Sequence, residues 1–149
     1  MVQDRLRDGT RIAQLVASEL TGDREALAQA VVADADPDVE PTADGAFAYR
    51  VDHVADPDAI AVGDRGATTV DEDAERTTVA EVFVHPERAR IEFVAAPDAA
   101  ADAAATELRA RPKAVDPPRT LVFVEDGAEA KRVIPVFGRV VTAITESTE

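Results

Sequence analysis

The stretch TTVAEVFVHPERARIEFV, residues 77–94, decides the fold class. Val79, Glu81, Phe83 and His85 alternate with Ala80, Val82 and Val84. After Pro86-Glu87-Arg88, Arg90, Glu92 and Val94 alternate with Ile91 and Phe93. A period of two sends successive side chains to opposite faces of a strand. Two such runs around a short turn-forming segment read as a β-hairpin. The chain is therefore built around antiparallel strand pairing.

Working outward, residues 46–54 (AFAYRVDHV) read as a strand with Phe47, Tyr49 and Val51 on one face. Asp56-Pro57-Asp58 breaks it, Ile60–Val62 is a short strand, and Gly63-Asp64-Arg65-Gly66 is a turn by composition. Val70–Glu75 reads as an acidic loop. Thr120–Val124 is a further strand following Pro117-Pro118. Arg24–Val32 is open between a helical turn and a strand near Ala28–Ala33, because periodicity does not separate the two.

Three helical segments surround these strands. Val2–Leu20 carries Val2, Leu6, Ala13, Val16 and Leu20 at helical spacing, with Gly9 a weak point costing about 1 kcal/mol relative to Ala. Pro97–Leu108 is alanine-rich, with Pro at its first position, and Arg111-Pro112 ends it. At residues 126–147, Asp126 and Glu129 fit a capping box, and Ala130, Val133, Phe137, Val140, Val141 and Ile144 keep helical period. That favours one helix, kinked at Pro135. The rival is a hairpin turn at Asp126-Gly127, a strand to Val133, and a shorter helix opened by Pro135. Strands bracketed by helices give the expected fold. It is a single α+β domain over residues 1–149, with a mostly antiparallel sheet and N-terminal, middle and C-terminal helices on one face.

The charge is extreme. The formal net charge is −14, from Asp+Glu 30 against Lys+Arg 16, and the only lysines are Lys113 and Lys131. There is no cysteine, hence no disulfide and no thiolate metal site. So much like charge weakens a compact state in dilute salt. In ~1 M salt, where the Debye length is about 3 Å, the repulsion is screened. This acidic, lysine-poor composition resembles that of small, uncharacterised cytoplasmic proteins of haloarchaea, over the whole chain and without a motif. The resemblance implies a salt-adapted cytoplasm and no particular activity. Residues 1–8 form no signal peptide, and no apolar run is long enough for a membrane span, so a soluble cytoplasmic protein is expected.

The charge is also segregated. Residues 33–81 hold fourteen carboxylates and three arginines, whereas residues 105–140 hold seven bases and five acids. Arg109, Arg111, Lys113 and Arg119 are thus candidate ligand-binding residues for phosphate or another anion, since guanidinium pairs bidentately with such oxygens. The plainer reading pairs these bases with acids of the same chain. Nucleic acid is disfavoured, because the net charge opposes a polyanion and no aromatic interleaves the bases along the chain.

Catalytic chemistry finds little support. His53 and His85 lack helical spacing and cysteine partners, and Asp52 and His53 leave opposite faces of a strand, so no metal site is expected. The Asp34, Asp36, Asp38, Glu40 series lacks the glycine and terminal glutamate of a calcium loop. Ser18 and Ser147 occur outside any nucleophile elbow. A helix opening at Asp126-Gly127 offers N–H groups to anions, but Glu125, Asp126 and Glu129 repel them. The expectation is a non-catalytic interaction or binding module, with no cofactor and with a protein partner or self-association. The alternative is a small anion- or phosphate-binding protein or enzyme using Arg109 to Arg119.

Overall fold

In the computed structural model, residues 8–22, 27, 29–36, 38–62, 68–71, 73–104, 108–113 and 118–147 are described. The core of the molecule is a six-stranded sheet in the order β1-β2-β5-β6-β8-β7. Its strands are β1 (Ala30–Ala33), β2 (Ala46–Val54), β5 (Arg76–Val84), β6 (Ala89–Phe93), β7 (Arg109–Lys113) and β8 (Arg119–Val124). Every neighbouring pair is antiparallel. The hairpin of residues 77–94 is its centre, with Val82 opposite Ile91 and Ala80 opposite Phe93. A two-stranded excursion, β3 (Ile60–Val62) with β4 (Thr68–Val70), interrupts the path from β2 to β5.

Helices α1 (Gly9–Gly22), α2 (Pro97–Ala104), α3 (Gly127–Arg132) and α4 (Ile134–Ser147) cover one face. The alternation fixes which face. Val51, Val82, Ile91, Phe93 and Val122 form one core with Ile12, Val16, Leu20, Ala100, Val133, Phe137 and Val140. Phe93 and Phe137 pack at 4.9 Å between ring centroids. Two polar ties fasten helices to strands. Tyr49 Oη donates to Ala13 O at 2.7 Å, and Thr120 Oγ1 donates to Pro97 O at 2.7 Å.

The other face has only a small apolar cluster of its own. Val31, Val54 and Ala59 form it, with Ile60, Val70 and Ala74 around them. Val31 is opposite Asp52, one residue out of phase with the Val32–Val51 pair. The β3–β4 excursion therefore caps one end of this second face. Among the described residues no helix lies over the remainder.

Several expectations are corrected. Arg109–Lys113 is a strand rather than the end of a helix, because Pro112 is tolerated on an edge strand. The middle helix is described as far as Ala104; residues 105–107 lie outside the described residues. Phe47 does not share a face with Tyr49 and Val51. A register irregularity between Phe47 and Tyr49 turns Phe47 outward, where it is 36% exposed. Thr68–Val70 is a strand, so the segment read as loop from Val70 begins as part of a ladder. Ala30–Ala33 settles the Arg24–Val32 question in favour of strand over its described part. The turn at residues 63–66 lies outside the described residues.

The C-terminal segment combines parts of both readings. Asp126 caps α3 by accepting from Glu129 N at 2.8 Å. The helix is interrupted at Val133, and Pro135 lies in the first turn of α4, where its missing N–H has no intrahelical partner to lose. Val133, Phe137 and Val140 still share the buried stripe.

Gly9 is not a flaw in a longer helix. Asp8 precedes the start of α1 and its carboxylate accepts from Arg11 N at 3.2 Å. Gly9 N donates to Pro86 O at 3.2 Å. A Cβ at Gly9 would lie 1.8 Å from His85 O and 2.5 Å from Arg88 O, both backbone atoms of the hairpin turn. Residues 1–7, the rest of the expected N-terminal helix, lie outside the described residues. Gly9→Ala is expected to lower stability by about 1–3 kcal/mol through overpacking, although Ala is the better helix former. Chemical denaturation of the variant checks this; unchanged or higher stability contradicts the close approach.

Candidate functional site

The sheet face over which no described helix packs concentrates arginine. Cross-strand register builds two rows across five strands. One runs Phe47, Phe83, Arg90, Phe123, Arg109, and the next runs Arg50, Glu81, Glu92, Leu121, Arg111. Arg119 follows on β8, opposite Lys113. Such residues meet because facing positions on adjacent strands bring side chains within reach.

Two carboxylates on this face are buried, Asp52 at 1% exposure and Glu92 at 3%. Buried charge requires pairing. Arg50 holds Asp52 bidentately, Nε to Oδ1 at 2.8 Å and Nη2 to Oδ2 at 3.0 Å. Arg76 approaches Asp52 at 3.6 Å, and Arg50 also pairs with Asp34. Glu92 accepts from Arg90 Nε at 2.9 Å and from Arg119 Nη1 at 3.0 Å. Arg119 Nη1 also reaches Glu81 at 2.7 Å. It thereby joins two carboxylates that face each other in register. The hydrogen bond to Asp52 leads the influences that raise the Arg50 pKa above its ordinary value.

Arginine also covers the aromatic rings. The Arg90 guanidinium lies 4.6 Å from the Phe83 ring centroid, and that of Arg88 lies 4.5 Å from Phe123. Phe47 meets Phe83 edge-on at 5.9 Å. No aromatic interleaves the bases along the chain, yet the fold places Phe83 and Phe123 beside them. Period-two alternation carried that signal. The pairing of strands distant in sequence, which completes it, is not a local property.

The four residues singled out in the sequence separate. Arg119 is committed to Glu81 and Glu92. Arg109 and Arg111 occupy alternate positions of edge strand β7, both exposed. Among the described residues Arg109 meets Glu125, at 3.4 Å. Among the described residues Arg111 has no carboxylate partner. Lys113 takes the next alternate register position, and its side chain lies outside the described residues. Arg109 and Arg111 follow one strand, and neither lines the clefts at the β5–β6 turn or beside β3–β4.

A cleft of about 550 Å³ lies elsewhere. His85, Glu87, Arg88, Glu125, Asp126 and Glu129 line it where the β5–β6 turn meets α3. The carboxylates of Asp126 and Glu129 serve the start of α3; Glu129 accepts from Glu125 N at 2.8 Å. A second cleft, of about 390 Å³, is lined by Asp56, Asp71, Asp73 and Glu75. Among the described residues no group of three His, Cys, Asp or Glu side chains is placed to hold a metal. Nor is any described helix long and apolar enough to cross a membrane.

The family model DUF7993, a family of unknown function, matches residues 1–149, so the chain belongs to that family. No curated protein and no solved structure matches it.

His85 links the hairpin to the rest of this face. Its Nε2 lies 3.0 Å from Arg90 Nη1 and its Nδ1 3.0 Å from Ala43 O. Guanidinium only donates and a carbonyl only accepts, so the ring is neutral with its proton on Nδ1. Burial first, then the charges of Arg90 and Arg88, lowers its pKa below 6.5; the Ala43 contact and Asp44 oppose this. Burial lowers His53 as well. A histidine whose folded pKa is lowered leaves stability intact above its unfolded value and removes it as pH falls through the folded one. The melting temperature is therefore expected to fall as pH drops from about 7.5 to about 5.5, across the ordinary histidine range. A rise over that interval contradicts the neutral His85.

Proposed function

We propose that this member of a family of unknown function is a non-catalytic interaction module, built as one α+β domain, and that it binds a protein partner through the uncovered face of its sheet. The observation that carries this reading is where the arginines gather. Arg50, Arg88, Arg90, Arg109, Arg111 and Arg119 project from or border one sheet face that also bears Phe47, Phe83 and Leu121. Arginine and aromatic residues are enriched, and lysine depleted, at protein interfaces. The clefts at the β5–β6 turn and beside β3–β4, by contrast, each carry four carboxylates, several already engaged by backbone N–H groups.

The environment belongs to the same proposal. Net charge −14 with two lysines fits a salt-adapted, haloarchaeal cytoplasm, where screening removes the self-repulsion. The melting temperature is expected to rise steadily from ~0.1 M to ~3 M KCl, as the Debye length shrinks from about 10 Å to below 3 Å. A flat or falling curve removes the salt-adapted reading.

A second reading keeps the basic segment as a site for phosphate or a similar small anion, favoured by the exposure of both Arg109 and Arg111. Titration with phosphate and nucleotides in molar KCl separates the two. Saturable binding lost in the R109Q/R111Q/K113Q variant promotes the anion site. The partner reading is tested by a photo-crosslinking residue placed at Phe47, compared with one at exposed Arg139 on α4, in cells of the source organism. A discrete adduct at position 47 and not at 139 is expected. The same adducts at both positions, or none, contradict it.

A further inference from the structure

We propose that the β7–β8 end of the uncovered sheet face seats an acidic, extended segment of a protein partner, with Arg109 and Arg111 each taking one carboxylate. The inference rests on the interaction-module reading and adds the chemistry of what is bound.

Three observations carry it. The first is spacing. Arg109 and Arg111 are two residues apart on one strand, so their Cα atoms repeat at about 6.8 Å on one face. An extended segment with acids at every second position has the same repeat.

The second is the accounting of carboxylates. Across the middle of the face, Asp52, Glu81 and Glu92 are held by Arg50, Arg90 and Arg119 at 2.7–3.0 Å. At the β7 end that lattice stops. Glu125 is shared between Arg109 at 3.4 Å and Arg88 at 3.8 Å, and is itself well exposed. The Arg109 side chain is 67% exposed. Among the described residues no acid meets Arg111. The exposed positive charge at this end of the face is complementary to an acidic ligand at contact distance, where molar salt screens the repulsion from the chain's net charge of −14.

The third is the neighbouring strand. Leu121 lies opposite Arg111, and Phe123, itself under the Arg88 guanidinium, lies opposite Arg109, so neither arginine faces an acid on β8. In an extended segment with acids at every second position, all the acids fall on the side that meets the two guanidinium groups, and the residues between them point away from the sheet. Bidentate guanidinium–carboxylate bonds act at contact distance and so outlast the screening that removes long-range attraction. Pro112 leaves the β7 edge short of one N–H donor, so the segment is placed over the face and not as a seventh strand.

The test uses the full chain in ~1 M KCl, with circular dichroism confirming that each variant is folded. The probes are a fluorescent peptide of alternating glutamate and valine, its glutamine–valine counterpart, and a single-stranded oligothymidylate. Saturable binding of the glutamate peptide is expected, weakened about tenfold or more in R109Q/R111Q, the loss of two charge-assisted contacts. R139Q, on the outer helical layer, is expected to bind like the unmodified chain. Equal binding of the glutamine peptide overturns the proposal, as does an equal loss in R139Q. Absence of saturable glutamate-peptide binding also overturns it, while a position-47 crosslink in cells leaves the interaction module standing. Tighter, arginine-dependent binding of the oligonucleotide replaces the acidic segment with a nucleic acid.

Discussion

Glu92 is the constraint on which this structure turns. It sits on a central strand, almost fully buried, on the face that no described helix covers. A carboxylate in that position is costly unless charged donors satisfy it. Arg90 supplies one from the same strand, two residues away, and Arg119 supplies another from β8. Arg119 also holds Glu81, which would otherwise repel Glu92 across the β5–β6 pair. One guanidinium thereby connects three adjacent strands. At the β2 edge, Asp52 repeats the arrangement with Arg50 and Arg76. Arg50, Arg76, Arg90 and Arg119 stand around the two buried carboxylates, Asp52 and Glu92, of an otherwise solvent-facing acidic chain.

The same pairs connect the sheet to its loops. Arg90 reaches Asp44 O and His85 Nε2, and His85 in turn holds Ala43 O. Gly45, at φ 95°, gives the loop the left-handed turn it needs there; a Cβ at that position would meet Arg90 Nη1 at 2.9 Å. On the helical side, Gly9 brings the start of α1 against the carbonyls of His85 and Arg88. The β5–β6 turn is therefore gripped from both layers. This explains why a hairpin legible from eighteen residues also organises segments far from it in sequence.

Legibility followed the locality of each signal. Strands β5, β6 and β8 alternate in sequence, β2 does so apart from its two register irregularities, and the buried stripe through Val133, Phe137 and Val140 survives the break at Val133. The α+β class followed from those patterns. Strand β7 was hidden because RARPK contains a proline and a single small apolar residue. Its alternation of Arg109, Arg111 and Lys113 was a period-two signal written in charge. Phe47 was misplaced because a bulge is a tertiary adjustment with no local signature. Of the basic residues, Arg119 obeys the plain pairing expectation. Arg109 and Arg111 became interpretable only once their shared strand face was known. The arginine–phenylalanine rows depend on strand neighbours from separate parts of the chain, which no local pattern specifies.

The most direct measurement is a double-mutant cycle between Arg119 and Glu92, using Arg119→Met and Glu92→Gln, each alone and together, by denaturant unfolding in molar KCl. The lattice account predicts a coupling energy of about 1 kcal/mol or more, retained as salt is raised, because the pair acts at contact distance around a buried carboxylate. A coupling below about 0.3 kcal/mol, as for an exposed ion pair, contradicts it.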